Sequence, residues 1–370
     1  MEKQTTYVGM DVHARTIRVA VLGPGGAQRE EWGLANEPRA VASLARRLLR
    51  GTPGSVVACY EAGPTGFALM RQLRAKGIDC RVIAPALIPR KPGDRVKTDR
   101  RDARNLAELL RAGLLTEVHA PTPEQEAVRD LSRAREDAVA DRKRAQHRLA
   151  KLLLRRGLSY GRRNWTLEHR AWLRRLSFDH PAAQATFDGY LRTLEAAEER
   201  ARTLEQELLA CAEGDDYREA VGLLRCFHGV DTVTAMTLLA ELGDVSRFGS
   251  ARQLMSYLGL TPSEYSSGAR QRRGEITKAG NNHVRRVLVE SAWHYRHPPR
   301  VGVGLRRRRE GQPGWAVSMA EGAQRRLHRR FRLLTEQGKR SPVATVAVAR
   351  ELVGYLWAVL RIGAEHRMAA

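Results

Sequence analysis

The stretch Val96-Lys97-Thr98-Asp99-Arg100-Arg101-Asp102-Ala103-Arg104 sets two carboxylates three residues apart among four cations. Ala103, Leu106, Ala107, Leu109 and Leu110 follow at helical spacing. The spacing therefore predicts a helix whose first turn carries Asp99 and Asp102 on one face. Carboxylates so placed, with Lys97, Arg100 and Arg101 beside them, suit a hard divalent cation next to an anionic substrate. The competing reading is an acidic helix start with exposed ion pairs.

Two more acids stand at the ends of apolar runs. Asp11 lies in the strand-like stretch 6–12 among Val8, Gly9, Met10 and Val12, where an ionised acid needs a partner or a metal. Glu61 ends the run Ser55-Val56-Val57-Ala58-Cys59-Tyr60, a short continuous apolar strand of the kind found inside a covered sheet. Four carboxylates converging from separate elements would hold two Mg2+ (or Mn2+) ions about 3.5–4 Å apart, which clamp the attacking and leaving oxygens of a phosphodiester. A second chemistry is suggested by Ser266-Ser267-Gly268 followed by Arg272, Arg273, Lys278, Arg285 and Arg286, in which a serine attacks a phosphate held by guanidinium groups. On spacing alone, a serine pair before a glycine is an ordinary loop.

Elements that would position these groups are legible. Strands are expected over 6–12, 16–22, 28–34, 55–60 and 80–84, with helices from Pro38 and after Gly66, giving an α/β unit with a mixed sheet and flanking helices. From Glu124 the chain turns into long helix. Residues 142–175 hold twelve Lys or Arg and a single acid, Glu168, a density of like charge that repels itself unless a polyanion neutralises it. The return helix places Phe187, Tyr190, Leu194, Ala197, Ala201, Leu204, Leu208 and Cys211 on a heptad seam, either a helix packed on its own neighbour or an intermolecular coiled coil. Residues 223–239 read as two helices around a glycine turn, a hairpin able to offer backbone N–H groups to phosphate. Residues 300–332, with ten Arg and two Glu, form a basic arm or a basic surface helix. His294 and His297 are structural, because Pro298 ends the helix that would align them.

Composition narrows the partners. The 370 residues carry 64 Lys+Arg against 41 Asp+Glu, a formal net charge of +23, which calls for a polyanion, most simply nucleic acid. Cys59, Cys80, Cys211 and Cys226 are widely separated, which indicates neither a zinc site nor a disulfide framework. No charged-then-apolar leader opens the sequence and the late apolar run 343–360 is broken by Arg350 and Glu351, so neither secretion nor a membrane span is expected.

Taken together, Y-V-G-M-D-V-H with Asp11, C-Y-E-A-G-P-T-G with Glu61, V-K-T-D-R-R-D-A with Asp99 and Asp102, F-H-G-V-D-T-V-T-A, and Y-L-G-L-T-P-S-E-Y-S-S-G through I-T-K-A-G-N resemble the DEDD transposases of bacterial insertion sequences, recombinases guided by a structured non-coding bridge RNA. The resemblance implies an RNase H-like DEDD domain over 1–120, a helical coiled-coil segment over 121–214, a mainly α transposase domain over 215–300 with a helix-hairpin-helix and a serine loop, and a basic helical region over 301–370. It implies that Asp11, Glu61, Asp99 and Asp102 hold Mg2+ and that Ser267, with Ser266 one residue away, forms a phosphoserine link to DNA. It further implies double-stranded DNA and guide RNA as partners, a dimer to tetramer, and residence in the bacterial cytoplasm at the nucleoid. A hydrolytic Holliday-junction endonuclease would need the acids but not Ser267. A non-catalytic nucleic-acid-binding protein would need neither.

Overall fold

The computed structural model describes residues 4–51, 54–89, 98–265, 267 and 272–369, which fall into two compact units, Met1–Pro121 and Thr122–Ala370. In the first unit the elements are β1 (Thr5–Val12), β2 (Thr16–Leu22), β3 (Gln28–Ala35), α1 (Pro38–Gly51), β4 (Ser55–Glu61), α2 (Ala68–Arg74), β5 (Asp79–Ile83) and α3 (Asp99–Arg111). The strand order is β3-β2-β1-β4-β5. The first three strands pair antiparallel, while β1–β4 and β4–β5 are parallel. This mixed sheet with flanking helices is consistent with an RNase H-like fold.

Strand alternation decides what each face does. Val8, Met10, Ala58 and Tyr60 point to one side and pack with Val41, Leu44, Leu48, Leu69 and Leu73 of α1 and α2. Tyr7, Val57 and Cys59 point to the other and pack with Leu106 and Leu110 of α3. Gly9 lies on that second face, and there the backbones nearly touch. A Cβ added at Gly9 would sit 2.0 Å from the carbonyl oxygen of Ala103 and 2.5 Å from the amide nitrogen of Ala107. Helix α3 can lie this close only because the strand offers glycine and the helix offers two alanines.

Helix α3 starts where Thr98 accepts a bond from the Arg101 backbone N–H, which leaves Asp99 and Asp102 in the first turn, as the spacing predicts. A second clamp fixes its orientation. Glu31 on β3 accepts bonds from Arg100 and from Arg104 (2.8 and 2.6 Å). Burial opposes ionisation of Glu31, yet the two guanidinium groups hold its carboxyl below the usual range.

The second unit is helical, apart from one short hairpin. It contains α4 (Pro123–Arg155), α5 (Leu167–Arg174), α6 (Pro181–Ala212), α7 (Arg218–Arg225), α8 (Thr232–Leu242), α9 (Ala251–Tyr257), β6 (Pro262–Glu264), β7 (Arg273–Ile276), α10 (Asn282–Ala292), α11 (Val303–Arg309), α12 (Gly314–Glu336) and α13 (Ser341–Ala369). The start of α4 carries a capping box, with Thr122 and Gln125 each bonding the other's backbone N–H, and Pro123 in the first turn. On the α6 seam, Phe187, Leu194, Ala201 and Leu208 are buried at intervals of seven. They face α4 of the same chain, and Arg135–Glu205 (2.5 Å) and Arg200–Asp141 (3.2 Å) bridge the two helices in antiparallel register. Helix α13 is long and apolar enough to cross a membrane by composition. It instead runs through the core of this unit, where Ala344, Val348, Leu352 and Val359 are fully buried.

The side chain of Glu241 in α8 is 1 % exposed and receives Arg133 of α4 (2.6 and 2.8 Å) and Asn281 (2.6 Å). Burial raises the cost of its charge, but those donors prevail and its pKa is lowered. A carboxylate whose folded pKa is depressed stabilises the fold above the unfolded value of 4.5, and loses that contribution as pH falls through the folded value.

Two stability outcomes follow from these contacts. Gly9→Ala lowers the unfolding free energy by about 1–3 kcal/mol through overpacking against α3, read from the urea midpoint. Glu241→Ala lowers it by about 3–5 kcal/mol at pH 7 by stranding Arg133 and Asn281, and the gap between variant and wild type narrows on acidification below pH 4.5.

Candidate active site

The alternation that places Gly9 against α3 also turns Asp11, two residues on, toward the first turn of that helix. The result is a carboxylate cluster. The His13 Nε2 lies 3.3 Å from Asp11 Oδ2 and 3.6 Å from Asp99 Oδ2. Ligand atoms of Asp11, His13 and Asp99 fall within 4.8 Å of one another. Asp102 is close enough to act electrostatically on Asp11. Glu61 joins from the neighbouring strand. The parallel register pairs Gly9 with Cys59 and Met10 with Tyr60, so one further step brings Glu61 beside Asp11 on the α3 face. Asp11, His13, Asn36, Glu61 and the turn 62–65 line one open cleft of about 550 Å3.

Within the cluster, the surroundings of Asp11 oppose its charge. The pKa of Asp11 is raised, first by burial; His13 opposes the rise, and the Asp99 and Asp102 carboxylates reinforce it. The carboxylates of Asp11 and Asp99 with the His13 imidazole form a donor set that suits a divalent ion, Mn2+ as well as Mg2+. Cys59, under the same helix, is no ligand. Burial pushes its thiol up to about 12, and its Sγ–H points at the Leu106 carbonyl, 3.7 Å away.

His13 is the residue that sequence reasoning passed over. It sits in the three-residue turn between β1 and β2, where no periodicity marks a functional side chain. Its backbone N–H donates to the Thr16 carbonyl, and its own carbonyl accepts from the Asn36 amide at 2.9 Å, so the turn is tied to the end of β3. The only signal in the sequence is its position two residues after Asp11.

The remaining candidates are distributed as follows. Lys97 and Ser266 lie outside the described residues, as does the side chain of Arg273, whose backbone is in β7. Arg100 is taken up by Glu31, and the Arg101 backbone N–H serves the Thr98 cap. Ser267 is exposed in the connection between β6 and β7. Arg272 is exposed immediately before β7, and its carbonyl accepts from the Tyr265 N–H at 2.9 Å. Lys278 pairs with Glu275 at 3.0 Å. Arg285 donates to the Leu258 and Ala279 carbonyls at the base of the hairpin (2.9 and 3.4 Å), and Arg286 binds Glu136 and Glu290. At the α7–α8 turn the Asp231 carboxylate caps α8 by accepting the Thr234 N–H at 2.8 Å. That helix terminus therefore already faces a negative charge.

Comparison with known proteins agrees across both units. Residues 8–156 match a DEDD transposase family of the IS110 type, and residues 221–301 match the IS116/IS110/IS902 transposase family. The transposase y4qE of Sinorhizobium fredii is 44% identical over 358 residues, 96% of this chain and 88% of that protein. The transposase for insertion sequence element IS1533 of Leptospira borgpetersenii is 35% identical, covering 91% of this chain and 99% of its own length. The transposase for insertion sequence element IS1328 of Yersinia enterocolitica is 26% identical over 86% and 87% of the two chains.

The cleft predicts opposite responses with and without metal. Because the folded pKa of Asp11 exceeds its unfolded value of 3.8, its charge costs stability once pH passes that value, and the cost is complete above the folded pKa. In EDTA at pH 7, Asp11→Asn therefore melts at a higher temperature than wild type. With Mg2+ at a hundred times its Kd the wild type gains about 2.7 kcal/mol, and the variant gains far less. Differential scanning calorimetry with and without Mg2+ reads both differences.

Proposed function

The chain belongs to the DEDD transposase family of bacterial insertion sequences and is thereby an enzyme that acts on DNA; on that premise we propose that it cuts and rejoins DNA through a metal site of Asp11, Glu61, Asp99 and Asp102 and a covalent link to Ser267. The observation that supports the metal site most strongly is the convergence of Asp11, Asp99 and Asp102 at the end of β1, with Glu61 in the same cleft. A divalent ion held there would supply a Lewis acid for the phosphodiester and help to deprotonate a hydroxyl nucleophile. The protein's own part is to fix the carboxylates: Gly9 admits α3, Glu31 clamps it, and His13 bridges Asp11 and Asp99.

For the serine, support comes from its place. Ser267 is exposed on a hairpin connection with Arg272 nearby, accessible to a backbone phosphate. Attack by its hydroxyl forms the serine–phosphate bond and breaks the phosphodiester, releasing a sugar hydroxyl. Attack by a second sugar hydroxyl on the same phosphorus then restores the serine and joins a new strand, with no external energy source. His13 belongs to this proposal as a positioning residue. Guidance by a folded RNA, which the net charge of +23 supports, assembly as a dimer to tetramer, and action in the cytoplasm are parts of the same reading.

Ser267→Ala removes covalent protein–DNA adducts on denaturing gels and lowers strand transfer by about 10^3-fold or more, with RNA and DNA binding retained. Adducts that persist in this variant move the nucleophile to Ser266 or refute the covalent route. Asp11→Ala and Glu61→Gln each depress cleavage as well as transfer, and undiminished cleavage in EDTA contradicts the metal site.

A further inference from the structure

We infer that the free end of the α4–α6 hairpin is a docking surface for an unpaired polynucleotide strand. The inference rests on the reading that this chain acts on nucleic acid, and it adds where a strand is held and in what form.

The first observation is uncompensated charge. Arg144, Arg148, Lys151 and Arg155 follow one another along α4 at steps of four, three and four residues, which aligns them on one face at intervals of about 5–6 Å. Arg156 follows at the helix end, and Arg174 and Arg175 end α5, the next helix along the chain. Within this region Arg144 pairs with Asp141, Arg162 with Glu168 and Arg170 with Glu198. Among the described residues, Arg148, Lys151, Arg155, Arg156, Arg174 and Arg175 form no salt bridge, and all six are exposed. So many like charges on the end of one hairpin are relieved by a polyanion.

The second observation separates a single strand from a duplex. Between the two long helices, Tyr160, Trp165, His169 and Trp172 gather into one ring cluster. The His169 and Trp172 rings stack at 5.5 Å with 24° between planes, Trp165 meets His169 edge-on at 5.0 Å, and Tyr160 lies 5.3 Å from Trp172. His169 is buried, while Tyr160, Trp165 and Trp172 are partly exposed, the two indoles packing on one side against the Leu149, Leu153 and Leu173 cluster. Trp165 is held at φ 67°, a left-handed conformation that disfavours any residue with a Cβ, and its N–H donates to His169 Nδ1 at 3.0 Å. The fold thus keeps an indole at the tip at a conformational cost. Leu154 and Leu167 nearby in sequence are 63% and 86% exposed. A duplex keeps its base faces stacked inside and offers phosphates and groove edges, whereas an unpaired strand offers base faces as well. Partly open rings and exposed leucines in the same hairpin end as these cations fit the second.

The test measures binding of the full chain to a fluorescein-labelled 20-nucleotide strand, made as DNA and as RNA, and to the corresponding blunt DNA duplex, by anisotropy across a salt series. Replacing Arg155, Arg156, Arg174 and Arg175 together by Ala weakens single-strand binding tenfold or more and reduces the slope of log K against log[salt] by about 2–3. A charge-matched control, with Arg39, Arg46, Arg252 and Arg340 replaced by Ala, changes affinity less than threefold. Trp165→Phe with Trp172→Phe, which keeps the rings but removes two indoles, loses at least half of the tryptophan quenching seen on saturation with the strand. Tighter binding of the RNA or of the DNA strand supports the proposal and names the source. Equal losses in the two quadruple variants, a loss for duplex as large as for single strand, or unchanged quenching overturns it. None of these substitutions touches Asp11, Glu61, Asp99 or Asp102, so Mg2+-dependent cleavage reports separately on the catalytic reading, which can fail while the hairpin differences stand.

Discussion

The backbone contact between α3 and β1 is the constraint from which the candidate site follows. A helix normally stands off a sheet by the thickness of two side-chain layers. Here Gly9 removes one layer, and Ala103 with Ala107 nearly removes the other. That approach brings the first turn of α3 down to the end of the strand, and strand alternation aims Asp11 at it. Glu31, reaching Arg100 and Arg104 from β3, prevents the helix from rolling on its narrow contact. Asp11 and Asp99 are thereby brought within reach of His13, with Asp102 close enough to act on Asp11, although burial and the neighbouring carboxylates oppose the Asp11 charge. A divalent ion bound among these carboxylates would relieve that cost.

Charge is arranged in opposite senses in the two units. The first gathers acids at one cleft in a chain whose formal charge is +23. The second uses several basic residues to hold itself together: Arg133 on Glu241, Arg286 on Glu136, and Arg285 on backbone carbonyls. Cations engaged this way are poor candidates for contacting a polyanion, because releasing them would strand a buried partner. Arg148, Lys151, Arg155, Arg156, Arg174 and Arg175 on the α4–α6 hairpin end are exposed and form no salt bridge among the described residues, and the basic character of the chain acquires a location there.

Local pattern carried much of this. The helix start at Asp99 was legible from the 3.6-residue recurrence of Ala103, Leu106, Ala107 and Leu110, and the strands from runs of alternating or continuous apolar residues. What pattern could not supply was any relation between distant positions. Glu31 meets Arg104 across 73 residues, and Arg286 meets Glu136 across 150, with nothing in either neighbourhood to announce the partner. The heptad seam of α6 was plain, but a seam does not say what covers it, and the cover turned out to be α4 of the same chain. His13 escaped notice because a turn has no period, and Gly9 because the need for glycine arises only when α3 is in place. The seam, the turn and the glycine all depend on tertiary partners.

The most direct test of the carboxylate cleft as a metal site is the anomalous scattering of crystals soaked in Mn2+. Peaks bounded by the carboxylates of Asp11, Asp99 and Asp102, with Glu61 at ligand distance from one of them, are the predicted result. Ordered crystals that take up Mn2+ only elsewhere, with those four side chains turned apart, would contradict it.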